Sequence, residues 1–371
     1  MQVDLKKATL EEFLEHKTLY YDKIDFTIVK SSWDLLSKKI TLPFVIHIVG
    51  TNGKGSTGRF LAHYLHKKDY KVLHYSSPHI MKFNERIWIN GNDVSDENLQ
   101  DAHKFLQELY PIDLLSKLTY FEYTTLLAFY LSKDFDYLVL EAGLGGEFDA
   151  TNVVENNLSL ITTIGLDHQS FLGNTVSEIA ATKMRSVDNK MLIGYQVFDE
   201  VIKTAYKVKE QILEQRNRNI EIIEIKEFEK YNINDKFASY LKRNLHLVIT
   251  CLNELKIDID LTLFDDVKLF GRCQKLRSNI TIDVGHNPLA AHVIVKEFEN
   301  KKITLIYNSY KDKDYEEVLK ILKPIIKKII IIPLEDKRVV EKKSLLKVIE
   351  QLNLLSDDTI KIDENEEYLV F

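Results

Sequence analysis

Apolar positions along the chain fall in short β-branched runs separated by stretches of helical period. Val45, Ile46, Ile48 and Val49 form the first run, and Phe60, Leu61, Tyr64 and Leu65 follow at the spacing of an amphipathic helix. KVLHYS (71–76), YLVLEAG (137–143), LSLITTIG (158–165) and KMLIGY (190–195) repeat the pattern, with helical segments between most of them. Near-continuous apolar strands alternating with helices predict a mostly parallel sheet covered on both faces, and such sheets bind ligands beyond the carboxyl ends of their strands. The lysine- and glutamate-rich stretch from 200 to 236 reads as a helix, a strand and a variable connection. A second alternating series begins at Ile280 with NITIDVG, a helix from about 288, KITLIYN, a helix near 314, KKIIIIP and a helix near 343. Two domains are expected, a larger one over 1–268 and a smaller α/β one over 269–371. DDVKLFGRCQKL (265–276) reads as the strap between them, with Gly271 as its flexible point.

The first apolar run breaks into GTNGKGST (50–57). Gly50, Gly53 and Gly55 let the backbone approach an anion, free amides and the helix dipole favour negative charge, and Lys54 adds a point charge. Ser56 or Thr57 can then ligate a phosphate-bound magnesium. Ile48 stands where the usual P-loop pattern has its first glycine, and Gly55 is inserted between lysine and hydroxyl. An ordinary strand-to-helix turn is the plain alternative, and it leaves the lysine, the paired hydroxyls and the buried strand before them unexplained. The expectation is α/β throughout: a P-loop-type ATPase domain on a mostly parallel sheet, and a second, Rossmann-like domain.

Other strand ends carry chemistry too. EAGLGGEFDATN (141–152) opens with an acid at the end of an apolar run and continues into three glycines and Asp149. Glu141 is placed to hold a metal, or is a strand-terminal acid facing solvent. GLDHQSFLG (165–173) sets Asp167 and His168 after the next strand, where they could converge on the same metal-bound phosphate; a lone histidine is more often no ligand. SSPHIMKFNERI (76–87), with His79, Asn84, Glu85 and Arg86, is unusually polar for a connection and is otherwise a solvated loop leading to an edge strand. IDVGHNPLAA (282–291) places Asp283, His286 and Asn287 at the first turn of the second series, with Pro288 suited to the first helical position. A nucleotide bridging two domains would use both edges, with Arg272 able to reach a phosphate.

Of the 371 residues, 45% are hydrophobic and 29% charged, enough to bury two cores. The formal net charge of −6 gives no general attraction to nucleic acid or to an anionic membrane. IIIIP (329–333) is too short to span a bilayer, MQVDLKKATLEEF lacks an apolar leader, and Cys251 and Cys273 are the only cysteines. A cytoplasmic monomer is expected, with neither nucleic acid nor membrane as partner.

In this order, GTNGKGST, SSPHIxxFNER, TYFEYTT, EAGLGGEFDATNVV, LDHxxxLGxT, GRCQ and DVGHNP resemble the folylpolyglutamate synthase and dihydrofolate synthase family of the Mur ligase superfamily, from about residue 17 to the end. The resemblance implies a reaction in which ATP phosphorylates a folate or pteroate carboxylate and the amine of L-glutamate displaces phosphate. It implies ATP as cosubstrate and two Mg2+ ions, with dihydropteroate, folates and L-glutamate as partners. Asn52, Gly53, Lys54, Gly55, Ser56 and Thr57 would bind ATP together with Asn244, Arg272 and Asp283. One Mg2+ would be held by Ser56, Ser77 and Glu141 and a second by His168. Asp25, Phe26 and Thr27, Thr119 to Glu122 (Thr119, Tyr120, Phe121, Glu122), and Phe148, Asp149 and Ala150 would receive the pteridine and aminobenzoate. Lys54, His168 and Lys183 would be catalytic, Lys183 matching the lysine that the superfamily carbamylates.

The family's E-K-A-G reads Thr182-Lys183-Met184-Arg185 here, so Arg185 could support a carbamate or replace it. DKIDFTIVK (22–30) resembles the pteroate-binding IDLGLER element of bifunctional members, with Phe26 and Thr27 in place of Leu and Gly. The family continues past a motif like YLVF, whereas this chain stops at Phe371. A bifunctional enzyme is expected, the alternatives being a folylpolyglutamate synthase alone or a degenerate homologue that binds without turnover. Lys311 and Lys313, around the family's DKD at Asp312 to Asp314, suit a glutamate carboxylate or a solvated loop equally.

Overall fold

The computed structural model describes residues 4–18, 25–227, 231–357 and 359–371. Asp22, Lys23 and Ile24 of DKIDFTIVK lie outside them, as do residues 228–230 of the variable connection. The described chain divides into two compact units, one of 1–233 and 243–267, the other of 234–242 and 268–371.

The first unit is built on β1 (Phe44–Val49), β2 (Val72–Tyr75), β3 (Ile87–Ile89), β4 (Asn92–Asp93), β5 (Tyr137–Glu141), β6 (Leu158–Ile161), β7 (Lys190–Ile193) and β8 (Glu221–Glu224). They lie in the order β4-β3-β2-β5-β1-β6-β7-β8. The six strands from β2 to β8 in that order are parallel, and only β3 and β4 run antiparallel to their neighbours. The β-branched runs become strands because a sheet covered on both faces buries successive side chains. One face packs Val45, Leu73, Tyr75, Leu138 and Leu140 under the helices Asp96–Leu109 and Tyr120–Leu131. The same face continues through Val49, Ile161, Met191 and Ile193 under Val176–Met184 and Asp199–Arg216, while the opposite face buries Ile46, Ile48, Val139 and Leu160 and meets the helix Lys54–Lys67, whose Gly58 lies against His74. Strand order reverses around β1, which pairs with β5 on one side and β6 on the other, so the crevice of the sheet opens at the carboxyl end of β1. The glycine turn begins there, and Ile48 lies opposite Glu141 in register.

The second unit holds β9 (Gln274–Arg277), β10 (Ile280–Ile282), β11 (Ile303–Tyr307), β12 (Ile326–Ile331), β13 (Leu355–Asp357) and β14 (Tyr368–Val370), ordered β13-β12-β11-β14-β10-β9. Its strands are parallel except β9, which pairs antiparallel with β10. The helices Pro288–Glu297, Tyr315–Leu322 and Lys342–Gln351 fall where the pattern places them, and Pro288 takes the first turn behind the Asn287 cap. The strap expected at 265–276 is partly a strand. Gly271 does turn with a φ of +67°, but Gln274 onward pairs into the sheet.

Leu138 is fully buried in β5, between β2 and β1. Leu138→Ala should cost about 2–5 kcal/mol of unfolding free energy, read from the shift of a urea midpoint at unchanged slope.

Candidate nucleotide and substrate site

The turn after β1 is tied down from two sides. Thr51 and Asn52 donate their amides to the Thr163 carbonyl beyond β6, at 3.0 and 3.1 Å. Gly53 then caps the helix Lys54–Lys67 with a φ of +92°, and a Cβ there would lie 2.8 Å from Asn244 Oδ1. Both the backbone conformation and the space therefore call for glycine. Asn244 Nδ2 donates to Ser56 Oγ at 2.9 Å, and Ser56 Oγ donates to the Gly53 carbonyl at 3.1 Å. Asn244, distant in sequence, thus joins the turn. Thr57 is fully buried, and its hydroxyl has no hydrogen-bond partner among the described residues.

Glu141 is 4% exposed, which rules out the solvent-facing reading. Its Oε1 lies 3.9 Å from Lys54 Nζ, and its Oε2 accepts the Ser77 amide at 3.4 Å. Lys54 Nζ also donates to the carbonyls of Gly50 and Thr51, at 3.3 and 3.4 Å. Among the described residues no group of three or more His, Cys, Asp and Glu gathers into a metal cage. Magnesium needs only one or two protein oxygens and completes its shell with phosphate oxygens and water. Glu141 carries carboxylate oxygens and Ser56 a hydroxyl oxygen beside this turn. His168 sits at the start of a short helix with a φ of +48°, its Nε2 3.8 Å from Asp167 Oδ1 and its side chain 42% exposed.

Lys183 lies near the end of Val176–Met184, a helix opened by a Thr175–Glu178 capping box. Burial, and then repulsion from Lys54, push its pKa from 10.5 down to about 7, while Asp167 and Asp149 pull the other way. The lysine expected to be catalytic is therefore within electrostatic reach of the phosphate turn. The glycine loop after β5 rests on the same helix end. A Cβ on Gly146 would lie 2.4 Å from the Lys183 carbonyl, and Glu147 donates its amide to Thr182 at 2.9 Å. Arg185 Nη1 donates to Glu147 Oε2 at 2.9 Å, so this guanidinium is partnered by the glycine loop.

The expected substrate residues divide into scaffold and surface. Thr119 and Glu122 form the capping box of Tyr120–Leu131, and Asp25 caps Phe26–Leu36 by accepting the Thr27 amide at 3.0 Å. Asp149 is 4% exposed and accepts from the Leu144 and Thr151 amides and the Thr151 hydroxyl at 2.7, 3.0 and 2.6 Å; Ala150 beside it is buried. Phe148 is 55% exposed and stands edge-on to Phe26 at 6.4 Å between centroids. Phe121 packs on Tyr75, and the Arg86 guanidinium lies 5.2 Å from the Tyr120 ring. Arg86 and its partner His79 were visible in the sequence only as excess polarity in the 76–87 connection.

In the second unit, Asp283 is 7% exposed. Its Oδ2 accepts the Tyr240 hydroxyl and the Cys273 amide, and its Oδ1 the Gly285 amide, each at 2.8 Å. Burial raises its pKa against those bonds and the nearby Arg272. Arg272 Nη1 donates to the Gly271 carbonyl at 3.2 Å. Lys311 Nζ donates to the Lys337 carbonyl at 3.0 Å, and Lys313 lies 3.4 Å from Asp312.

A glycine- and lysine-bearing turn at the switch point of a parallel sheet, with a second α/β unit in the same chain, fits a two-domain Mur-ligase-like fold. No family model matches the chain. Dihydrofolate synthase/folylpolyglutamate synthase of Haemophilus influenzae is 32% identical over 366 residues, covering 86% of this chain and 82% of that protein. The crystal structure of Helicobacter pylori folylpolyglutamate synthetase is 37% identical, with a TM-score of 0.74 over 97% of this chain and 93% of that one. Bifunctional folylpolyglutamate synthase/dihydrofolate synthase of Yersinia pestis, complexed with AMPPNP and Mn ion, shares the fold at 22% identity, with a TM-score of 0.85 over 100% of this chain and 96% of that one. The chain belongs to the dihydrofolate synthase/folylpolyglutamate synthase family, whose members are ATP-dependent ligases that add glutamate.

Glu141→Gln keeps the size of the side chain and removes its charge. The variant should stay folded by circular dichroism, need more magnesium for half-maximal rate, and turn over on the order of 100-fold more slowly. A magnesium titration identical to the parent's would exclude Glu141 as a ligand.

Proposed function

We propose that the chain is bifunctional, joining L-glutamate to dihydropteroate and extending folylpolyglutamates. The γ-phosphoryl group of ATP passes to a substrate carboxylate oxygen, leaving ADP. The glutamate amine then attacks the acyl carbon, a C–N bond forms, and phosphate departs with the C–O electron pair. The observation that carries this reading is the Glu141–Lys54 pair at the end of β5 and β1, with the glycine loop running from Glu141 to the exposed Phe148. One segment thereby joins a phosphate-binding end to an aromatic one.

Such chemistry asks a protein for positioning and charge neutralisation rather than a side-chain nucleophile. Lys54 neutralises transferring phosphoryl charge, while the amides of Gly53 and Gly55 cradle phosphates; the Asn52 and Thr57 amides, bonded to the Thr163 and Gly53 carbonyls, hold the turn in shape for them. Asn244 orients Ser56, and the family resemblance assigns nucleotide binding to Arg272 and Asp283 as well. Magnesium would be held by Glu141, Ser56 and Ser77, with a second ion at His168, and would supply charge neutralisation on the phosphates. Phe26, Tyr120, Phe121 and Phe148 receive the pteridine and aminobenzoate on a frame set by Asp25, Thr27, Thr119, Glu122, Asp149 and Ala150. A cytoplasmic monomer is part of the reading, and two unpaired cysteines fit a reducing compartment. No helix among the described residues is long and apolar enough to cross a membrane. ADP release with glutamate plus dihydropteroate, compared with glutamate plus tetrahydrofolate, tests the reading: activity on both acceptors supports it, activity on the second alone leaves a folylpolyglutamate synthase, and activity on neither sinks it.

Lys54→Ala should lower ligase turnover on the order of 1000-fold, because the transition state concentrates charge at the phosphoryl group; it also leaves the buried Glu141 carboxylate without its cation, so a loss of stability is expected alongside. Rates within a few-fold of the parent, in a correctly folded variant, would remove Lys54 from the mechanism.

Lys183 is proposed to carry a carbamate. Carbon dioxide adds only to a neutral amine, and with a pKa of about 7 in place of 10.5 the Lys183 amine is neutral above that pH and charged below it. Loading should therefore fall as pH drops through about 7, and activity should rise with bicarbonate at fixed pH. Lys183→Ala should lose activity that short carboxylic acids partly restore; mass spectrometry of bicarbonate-treated parent showing an unmodified lysine at full activity would contradict the proposal.

A further inference from the structure

The tip of the connection between β2 and β3 is held by the Glu85 side chain. Glu85 Oε2 accepts the Ile80 amide at 2.7 Å, and Oε1 accepts the amides of Met81 and Lys82 at 2.9 and 2.8 Å. Burial alone would raise the Glu85 pKa, but these bonds hold it below the usual carboxylate value. The residues so held are a loop tip, with Ile80 40% and Met81 76% exposed, so no packed core fixes their shape.

Both ends of this connection enter the site. At one end the Ser77 amide reaches Glu141 Oε2. At the other, Arg86 Nε donates to His79 Nδ1 at 2.9 Å, and Arg86 is buried with its guanidinium against the Tyr120 ring. Phe83 stands edge-on between the two rings, 6.3 Å from His79 and 6.2 Å from Tyr120. The Ser76 amide donates to the Arg86 carbonyl at 2.8 Å and closes the loop at its base. Base and ends are thus anchored, and the Glu85 carboxylate determines the path between them.

We propose that Glu85 is a positioning residue for the aromatic end of the acceptor substrate: by binding the 80–82 amides it fixes the loop so that His79 and Arg86 stay against Tyr120. The inference rests on the folate-ligase reading above. Two anionic oxygens can satisfy three amide donors, whereas a glutamine of the same shape offers one carbonyl oxygen and turns an NH2 donor toward a backbone N–H. Glu85→Gln thus breaks the clamp without opening a cavity.

The test measures KM for tetrahydrofolate and for ATP, kcat, and amide hydrogen exchange in parent and Glu85→Gln. The expected result is an acceptor KM raised about tenfold with the ATP KM within about twofold, and exchange at residues 80–82 accelerated about tenfold while β5 exchange is unchanged. A merely structural role would lower kcat through a smaller folded fraction at unchanged KM values, and that outcome overturns the proposal. So does unchanged exchange at 80–82, or an unchanged acceptor KM. If Glu85→Gln fails to fold, Glu85→Asp, which keeps the charge but withdraws it by one methylene, is measured for the same KM split. A parent inactive on every folate acceptor overturns the ligase reading and this proposal together; an active parent with an unaltered variant overturns this proposal alone.

Discussion

A carboxylate almost wholly removed from water at the end of a central strand has to be compensated, and the means of compensation for Glu141 organise the first unit. An unpaired buried charge costs several kcal/mol, so the chain must bring a cation and a donor to that point. The cation is Lys54, 3.9 Å away at the start of the helix after β1, and the donor is the Ser77 amide beyond β2. Three connections, following β1, β2 and β5, are thereby drawn to one place at the crevice of the sheet. The arrangement is also a charge balance. Were Lys54 to turn toward a phosphate, Glu141 would lose its partner, and a divalent cation held there would restore the charge balance.

Most of the sheet was legible in the sequence because parallel strands buried on both faces write themselves as β-branched runs. VIHIV, YLVLEAG and KITLIYN each correspond to an observed strand within a residue or two at the start, and strand ends trail into loops as hydrogen bonding fades. Short antiparallel additions carry no such signature. Asn92–Asp93 is two polar residues at an edge, and Gln274–Arg277 is polar and largely exposed, so its sequence reads as a strap. Chemistry at strand ends was legible as residue type but not as partnership. Glu141 could be singled out, yet whether it faced solvent or Lys54 depends on register between β1 and β5. Asn244 and Ser56 are far apart in the chain, and nothing local indicates that one orients the other. Glu147 and Arg185 likewise lie in separate elements, and only packing of the glycine loop on the helix end shows that the guanidinium has a partner.

Resemblance to a family identifies a set of positions without saying what each side chain does. Thr119, Glu122, Asp25 and Asp149 fall among the expected substrate residues, and their side chains form helix caps and turn closures. Such residues act on a ligand by holding the neighbouring rings of Phe26, Tyr120 and Phe148 in place. Pre-organisation of this kind lowers the entropy lost on binding, so a cap can matter to affinity without touching the substrate.

The glycine loop after β5 makes the two halves of the reaction mechanically dependent. Its first residue, Glu141, faces the phosphate turn, Gly146 lies directly on the Lys183 backbone, and Phe148 carries the exposed ring beside Phe26. Asp149 closes the loop through the Leu144 amide and also lowers the cost of a charged Lys183 amine. A Cβ at Gly146 would drive the loop off the helix end, moving Phe148 and Lys183 relative to each other. The exposed ring, the backbone beside Lys183 and the Glu141 carboxylate are thus carried by one segment of eight residues, 141 to 148. An enzyme that must phosphorylate a carboxylate only when the acceptor is seated has reason to keep both functions on one short, tightly packed segment.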